Sequence, residues 1–330
     1  MSLAIAALAL FLATLVLLFG VAALIAARRV AAFGAAHPPR GDFITVDGVR
    51  LHYRRTGDPA APATLILHGA SSNLEEPHLA LAETLADEHV IWVDRPGLGW
   101  SDRPAGHWTP EREAALLAAF LTALDVERAV IVGHSWGGAI AMRMAIDHPA
   151  RLDGLVLVAP ALSAWIGEAA WFNAASFSPV IGPLLYRVAV PLAGRSQAGA
   201  GAAKAFHPEP LPENYVARTG LLLLLRPETW LANAADMRFV NQHLAAQQDR
   251  YGEVELPVIM IAGKPDTVLW SERHAGDVSE RLKNAELRWI KRAGHNLHHH
   301  HPRAVLRAIH DVRDPARRLP KRVTIAGSPA

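Results

Sequence analysis

The chain has 330 residues, 51% of them hydrophobic, and a formal net charge of +2. That is enough apolar material for one large domain with an insertion or for two modest domains, and it excludes a disordered chain. The absence of cysteine rules out disulfides, thiol nucleophiles and cysteine-ligated zinc, and the small charge without a basic stripe argues against a nucleic-acid partner.

Residues Leu3 to Ala27 carry no charge, and roughly 20 such residues suffice for a helix that crosses a bilayer. A secretory signal is the alternative, but it calls for Lys or Arg ahead of a shorter apolar core, and none precedes this run. Residues 1–29 therefore read as an uncleaved, single-pass transmembrane anchor. Its basic flank, Arg28, Arg29 and Arg40, places the following domain on the cytoplasmic side by the positive-inside rule. His37-Pro38-Pro39-Arg40-Gly41 reads as a short stiff linker.

From Phe43, two short strands joined at Asp47-Gly48 predict a hairpin. Ala63 to Leu67 is a strand that runs into His68-Gly69-Ala70-Ser71-Ser72-Asn73, Leu74 to Glu88 reads as a helix, and Val90 to Val93 as a buried strand. A glycine-rich loop follows, Asp94 to Ser101, and then a helix from Pro110 to Leu124 with Thr109 as its N-cap. Val130 to Gly133 is a β-branched strand, Ala139 to Ile146 a helix, and Leu155 to Val158 a strand ending at Pro160. This alternation predicts parallel strands joined by helical crossovers. From 161 to 251 it gives way to a helical, aromatic-rich stretch that includes Trp165, Trp171, Phe172, Phe177, Trp230 and Phe239. An insertion at that point sits over the carboxyl edge of the parallel strands as a cap, and most of its aromatics should form its own core. Strands at Val258 to Gly263 and Glu286 to Ile290, with helices near Glu272 to Leu282 and Pro302 to Val312, complete a core built from 42–160 and 252–314. Residues 315–330 read as a basic disordered tail.

Between the strand at Val130 and the helix at Ala139 stands Gly133-His134-Ser135-Trp136-Gly137. A serine on a tight strand-to-helix turn has strained backbone angles, and small residues two before and two after it avoid a clash across the turn. The hydroxyl then stands above the sheet edge at a helix N-terminus, where developing negative charge is favoured. Serine is too weak an acid to attack unaided, so it needs a base, and the base needs an orienting carboxylate. Asp266 and His295 both follow strands of the resumed sheet, in the chain order serine, acid, histidine. The strand ending at Val158 runs into Ala159-Pro160, with no acid to compete.

On these residues, together with His68-Gly69-Ala70, Asp94-Arg95-Pro96-Gly97-Leu98-Gly99-Trp100-Ser101, Gly263-x-x-Asp266 and Gly294-His295, the chain resembles α/β-hydrolase-fold enzymes: esterases, lipases, carbon–carbon bond hydrolases and haloperoxidase-like perhydrolases. The resemblance covers about Phe43 to Val312 and implies a mostly parallel central sheet flanked by helices, with an inserted helical cap. It implies Ser135, Asp266 and His295 as catalytic residues and the amides of Ala70 and Trp136 as the oxyanion hole. Serine at the elbow, where those enzymes carry aspartate, argues against a haloalkane dehalogenase or an epoxide hydrolase.

The expectation is a membrane-anchored serine hydrolase of carboxylic esters, with a small-molecule hydrophobic ester as substrate and no cofactor. A carbon–carbon bond hydrolase or perhydrolase on the same triad, and a non-catalytic binding protein of the same fold, are the alternatives. His68 should fix its loop by hydrogen bonds rather than act as a base. Adjacent histidines in one turn point in different directions, so His298 to His301 are not expected to form a dedicated metal site. Asp94 and Arg95 should hold their loop together, and Asp102 should be solvated.

Overall fold

The computed structural model describes residues 3–164, 170–314, 316–317 and 319–325; Trp165 lies outside them. The strands are β1 (Asp42–Val46), β2 (Val49–Thr56), β3 (Ala63–Leu67), β4 (His89–Val93), β5 (Ala129–His134), β6 (Leu152–Val158), β7 (Val258–Gly263), β8 (Ala285–Ile290) and β9 (Arg322–Ile325). The helices are α1 (Leu3–Ala36), α2 (Glu75–Leu81), α3 (Pro110–Ala123), α4 (Trp136–Asp147), α5 (Trp171–Ala175), α6 (Ile181–Leu184), α7 (Val190–Phe206), α8 (Tyr215–Arg218), α9 (Pro227–Arg238), α10 (Val240–Gln248), α11 (Asp277–Arg281) and α12 (Pro302–Arg313).

Strand order is β1-β2-β4-β3-β5-β6-β7-β8-β9. The opening hairpin is antiparallel, as is the β2–β4 pair, and every later pair is parallel. Strands β3, β4, β5, β7 and β8 are buried along their whole length; all but β8, where Glu286 pairs with Arg288, therefore read as largely apolar runs rather than alternating ones. Leu65, Ile131 and Leu155 pack beneath α3 and α4 on one face, while Ile66, Val132 and Val156 pack against α12 on the other. The hairpin turns at Asp47 and Gly48, both with positive φ (48° and 74°), as its two-residue turn requires. The chain leaves β3 toward β4 and returns to β5 on the other side of β3. The order thus reverses at the carboxyl ends of β3 and β5, where an open α/β sheet forms its crevice.

Several boundaries differ from the sequence expectation. Helix α1 continues through Arg28 and Arg29 to Ala36 instead of stopping at residue 29. Arginine favours helix, Arg29 Nη1 donates to the Leu192 carbonyl at 2.7 Å, and Ala26 and Phe33 are buried. The charges end the apolar run without ending the helix. The helix expected over Leu74 to Glu88 is regular only to Leu81, beyond which the backbone continues in turns. Within the tail, Arg322–Ile325 adds to β8 as a parallel edge strand, where disorder was expected. The open edge of β8 supplies the ladder, Lys321 Nζ donates to the Leu282 carbonyl at 2.7 Å, and Arg322 pairs with Glu280.

Between β6 and β7 the cap is helical, from α5 through α10. Its interior includes Phe206 against Tyr215 (centroids 5.1 Å apart) and Phe172 against Trp230 (5.7 Å). Phe33 of α1 joins Val190 and Leu225 of the cap in one buried cluster. Not every cap aromatic is core: Trp171 is 72% exposed.

Candidate active site

Ser135 sits between β5 and α4 with φ 51° and ψ −118°, a backbone conformation that non-glycine residues adopt only when the surroundings hold it. The surroundings here leave no slack. A Cβ on Gly133 would lie 2.6 Å from the Gly137 carbonyl oxygen, and one on Gly137 would lie 2.4 Å from that of Leu67. Ser135 N donates to Val158 O at 3.0 Å, and Ser135 O accepts from Gly138 and Ala161. The elbow is thereby tied to β6 as well as to its own helix.

Asp266, just beyond β7, and His295, beyond β8, meet as Nδ1 to Oδ2 at 2.8 Å, with side chains only 1% and 6% exposed. The other carboxylate oxygen accepts from the amides of Val268 and Leu269 at 2.7 and 3.0 Å. Burial alone would raise the Asp266 pKa, but His295 and those two amides outweigh it and hold the carboxyl below its ordinary value. The histidine is therefore fixed by an acid that stays ionised. Its own backbone amide donates to Ala205 O of the cap at 2.9 Å.

Ser135, His295, Ala70 and Trp136 line one cavity of about 790 Å³. The cap contributes Phe172, Leu225, Trp230, Met237 and Val240, so a few polar groups stand at the floor of an apolar space. Ala70 follows β3 and Trp136 opens α4, which brings the two backbones named for the oxyanion hole to the point where the sheet order reverses.

The flanking histidines are structural in their contacts. His68 Nε2 accepts from Arg95 N at 3.0 Å and Nδ1 contacts Gly69 O at 2.8 Å; burial lowers its pKa to about 4, so the ring is neutral. His134 Nε2 donates to the His295 carbonyl at 3.2 Å, and burial depresses its pKa well below the ordinary value. Asp94 accepts from Leu74 N and Trp100 N at 2.7 and 2.8 Å, closing its loop. Asp102 is largely solvated, 4.0 Å from Arg50.

Three arrangements had no signal in the sequence. Asn233 of α9 receives the Ser71 amide at 2.6 Å and returns a bond to Ser71 Oγ at 3.1 Å, gripping the loop after β3 from the cap. Buried Arg95 pairs with Glu113 of α3 (2.6 Å) and Asp236 of α9 (3.0 Å), and Arg103 reaches the same Asp236 at 2.7 Å. His298 and His299 converge on Glu76 Oε1 at 2.9 and 2.7 Å. The expectation that neighbouring rings would diverge fails for these two: each side chain is long enough to approach one carboxylate oxygen from its own side. Among the described residues, Glu76, His298 and His299 come nearest to a metal-binding set. Their separations are those of hydrogen bonds, and burial opposed by the two imidazoles leaves Glu76 ionised well below its usual pKa.

A sequence model described as "Alpha/beta hydrolase family" matches residues 64–308. An uncharacterized protein of Mycobacterium tuberculosis (strain ATCC 25618 / H37Rv) is 38% identical over 124 residues, 37% of this chain and 35% of that protein. The alignments to the curated relatives thus cover only about a third of their lengths. Among solved structures, an esterase from Exiguobacterium antarcticum superposes with a TM-score of 0.67 at 18% identity, covering 83% of this chain and all (100%) of that one. A membrane phospholipase A gives 0.59 at 20% identity, covering 93% and 98%.

Proposed function

Since the chain belongs to the alpha/beta hydrolase family, we propose that it is a hydrolase that cleaves carboxylic esters of hydrophobic acyl groups through an acyl-enzyme on Ser135. The observation that carries this reading is the Asp266–His295 pair at 2.8 Å, with His295 lining the same cavity as a serine held at φ 51°.

In this reading His295 Nε2 takes the Ser135 proton as Oγ attacks the acyl carbon, and Asp266 keeps the Nδ1–H side of the ring in place. The Ala70 and Trp136 amides, the latter at the N-terminus of α4, receive the oxyanion. His295 then protonates the departing alcohol. A water, deprotonated by the same ring, attacks the acyl carbon and releases the acid and the free serine. No step requires a cofactor. The apolar lining supplied by the cap supports a fatty acyl group over a polar one.

The same proposal takes α1 as a membrane anchor. It is the one helix among the described residues long and apolar enough to cross a bilayer by length and composition. Arg28 and Arg29 at its domain end favour the cytoplasmic side.

The test is labelling of full-length protein with a fluorophosphonate, followed by a panel of p-nitrophenyl esters. Wild type should label and Ser135→Ala should not, with turnover down roughly 10³-fold or more. Retained turnover in Ser135→Ala removes the serine from the mechanism.

A further inference from the structure

Helix α1 divides into two unlike halves. Leu3 to Val21 is exposed at every position, and about 19 residues at roughly 1.5 Å each span about 28 Å, the depth of a bilayer's hydrocarbon. Beyond that, Ala22, Ala26, Val30, Phe33 and His37 form a shielded stripe at helical spacing. This stripe docks on the cap: Phe33 against Val190 and Leu225, Arg29 on the Leu192 carbonyl, His37 Nε2 on the Ala217 carbonyl at 2.7 Å. The cap is thus fixed to the helix just past the point where its unpartnered part ends.

Among the described residues beyond α1, the exposed large apolar side chains are five in the cap segment leading into that dock, with Val268 and Trp270 in the loop after β7. Trp171 and Val180 are each 72% exposed, Ile181 56%, and Phe177 and Leu184 are exposed with them. Leu184 directly precedes the π-helical segment Leu185–Ala189, against which α1 rests. The segment 170–206 contains Arg187, Arg195 and Lys204 and no acidic residue, a composition suited to a phosphate-bearing surface. Trp171 both lines the catalytic cavity and stands exposed, so the cavity wall reaches the surface at this patch.

We propose that the cap face bearing Trp171, Phe177, Val180, Ile181 and Leu184 rests in the lipid interface beside the exit of α1, and that the cavity takes its acyl ester directly from that monolayer. The five side chains enter the headgroup and acyl boundary, the arginines meet lipid phosphates, and an acyl chain reaches Ser135 without crossing water. The proposal rests on the reading of α1 as an anchor.

The absence of cysteine makes the test direct. Full-length protein with Val180→Cys, Leu184→Cys, Leu10→Cys or Ala60→Cys is labelled with an environment-sensitive fluorophore and reconstituted in phosphatidylcholine–phosphatidylglycerol vesicles containing doxyl-labelled acyl chains. Ala60 is exposed in the loop that feeds the opposite end of β3 and serves as the aqueous reference. Probes at 180 and 184 should shift to the blue and be quenched by the doxyl lipids, as at 10, while the probe at 60 does neither. A lipid-embedded probe at 10 with aqueous probes at 180 and 184 overturns the seated cap and leaves the anchor standing. Aqueous signals at all four positions defeat the anchor and the proposal together. A blue shift at 180 without doxyl quenching assigns the patch to a second copy of the chain and overturns the proposal as well. In parallel, V180D combined with I181D should slow hydrolysis of a bilayer-embedded fluorogenic diacyl ester about tenfold, leaving soluble p-nitrophenyl butyrate unchanged. Equal effects on both substrates, or on neither, overturn it.

Discussion

Removing the cap's grip on the loop after β3 tests the oxyanion assignment without touching a cavity wall. Asn233 is buried, does not line the cavity, and makes two hydrogen bonds to Ser71. Ser71 holds φ 55°, one residue past Ala70, so the loop needs outside support, and in the proposed mechanism that support keeps the Ala70 amide in place for the oxyanion. Each neutral hydrogen bond contributes about 1 kcal/mol net. Ser71 is half-buried, so water can replace part of what Asn233→Ala removes, and the cost is about 1–2 kcal/mol. An amide that matters mainly once charge has moved onto the substrate oxygen puts that cost on kcat, a loss of about 5- to 30-fold with KM little changed. The assay is steady-state kinetics on p-nitrophenyl butyrate alongside calorimetric unfolding. A variant that melts earlier but keeps wild-type kcat would show that Asn233 only fastens the cap and that the Ala70 amide does not depend on it.

Asp266→Asn should lower kcat by about 10⁴-fold with the fold intact, because the amide favours the wrong histidine tautomer; near-wild-type kcat would mean another carboxylate holds His295. Ester profiles should favour acyl chains longer than acetyl, since each buried CH₂ is worth about 0.8 kcal/mol, and Phe172→Ala should flatten that preference more than it slows acetate hydrolysis; a profile falling steadily from acetate and unaltered by the variant would make Phe172 part of the cap's own core only. Glu76 has a folded pKa well below the ordinary 4.5, so its stabilisation is complete above that value and is lost as pH falls through the lowered one. Unfolding at pH 7 and at successively lower pH below 4 should therefore show Glu76→Gln less stable by about 2–3 kcal/mol at neutral pH and closer to wild type in acid; a constant difference across pH would rule out the charge as the cause.

What was legible in the sequence is what depends on local backbone chemistry. The elbow at Ser135, the hairpin at Asp47-Gly48 and the N-cap of α3, where Arg112 N donates to Thr109 Oγ1 at 3.2 Å, each follow from two to five adjacent residues. The helix after Leu81 and the strand at Arg322–Ile325 were misjudged for the opposite reason. Nothing within Leu74 to Glu88 reveals where its regular turn ends, and β9 exists because β8 presents a free edge. Asn233, Asp236 and Glu76 act across the fold on Ser71, Arg95 and the histidines beyond β8. A polar residue on a helix reads as solvated until its distant partner is known.

Those long-range partners also decide how the cavity is reached. The cap is bonded to the core at more than one place: Asp236 to buried Arg95 and to Arg103, Asn233 to Ser71, and Ala205 O to the amides of both His295 and Asn296 at 2.9 and 3.1 Å. A cap that swung away as a rigid lid would leave Arg95 buried against Glu113 with one partner gone, and breaking such a buried ion pair costs about 3–5 kcal/mol. It would also strip two hydrogen bonds from the backbone that carries the histidine. Gly294 adds a steric tie, since a Cβ there would lie 2.4 Å from the His207 carbonyl oxygen. Opening by whole-cap rotation therefore works against the site it is meant to serve. Trp171, exposed and at the cavity wall, lies in none of these ties, so entry beside it leaves the His295 loop and the Ser71 loop in place while substrate exchanges.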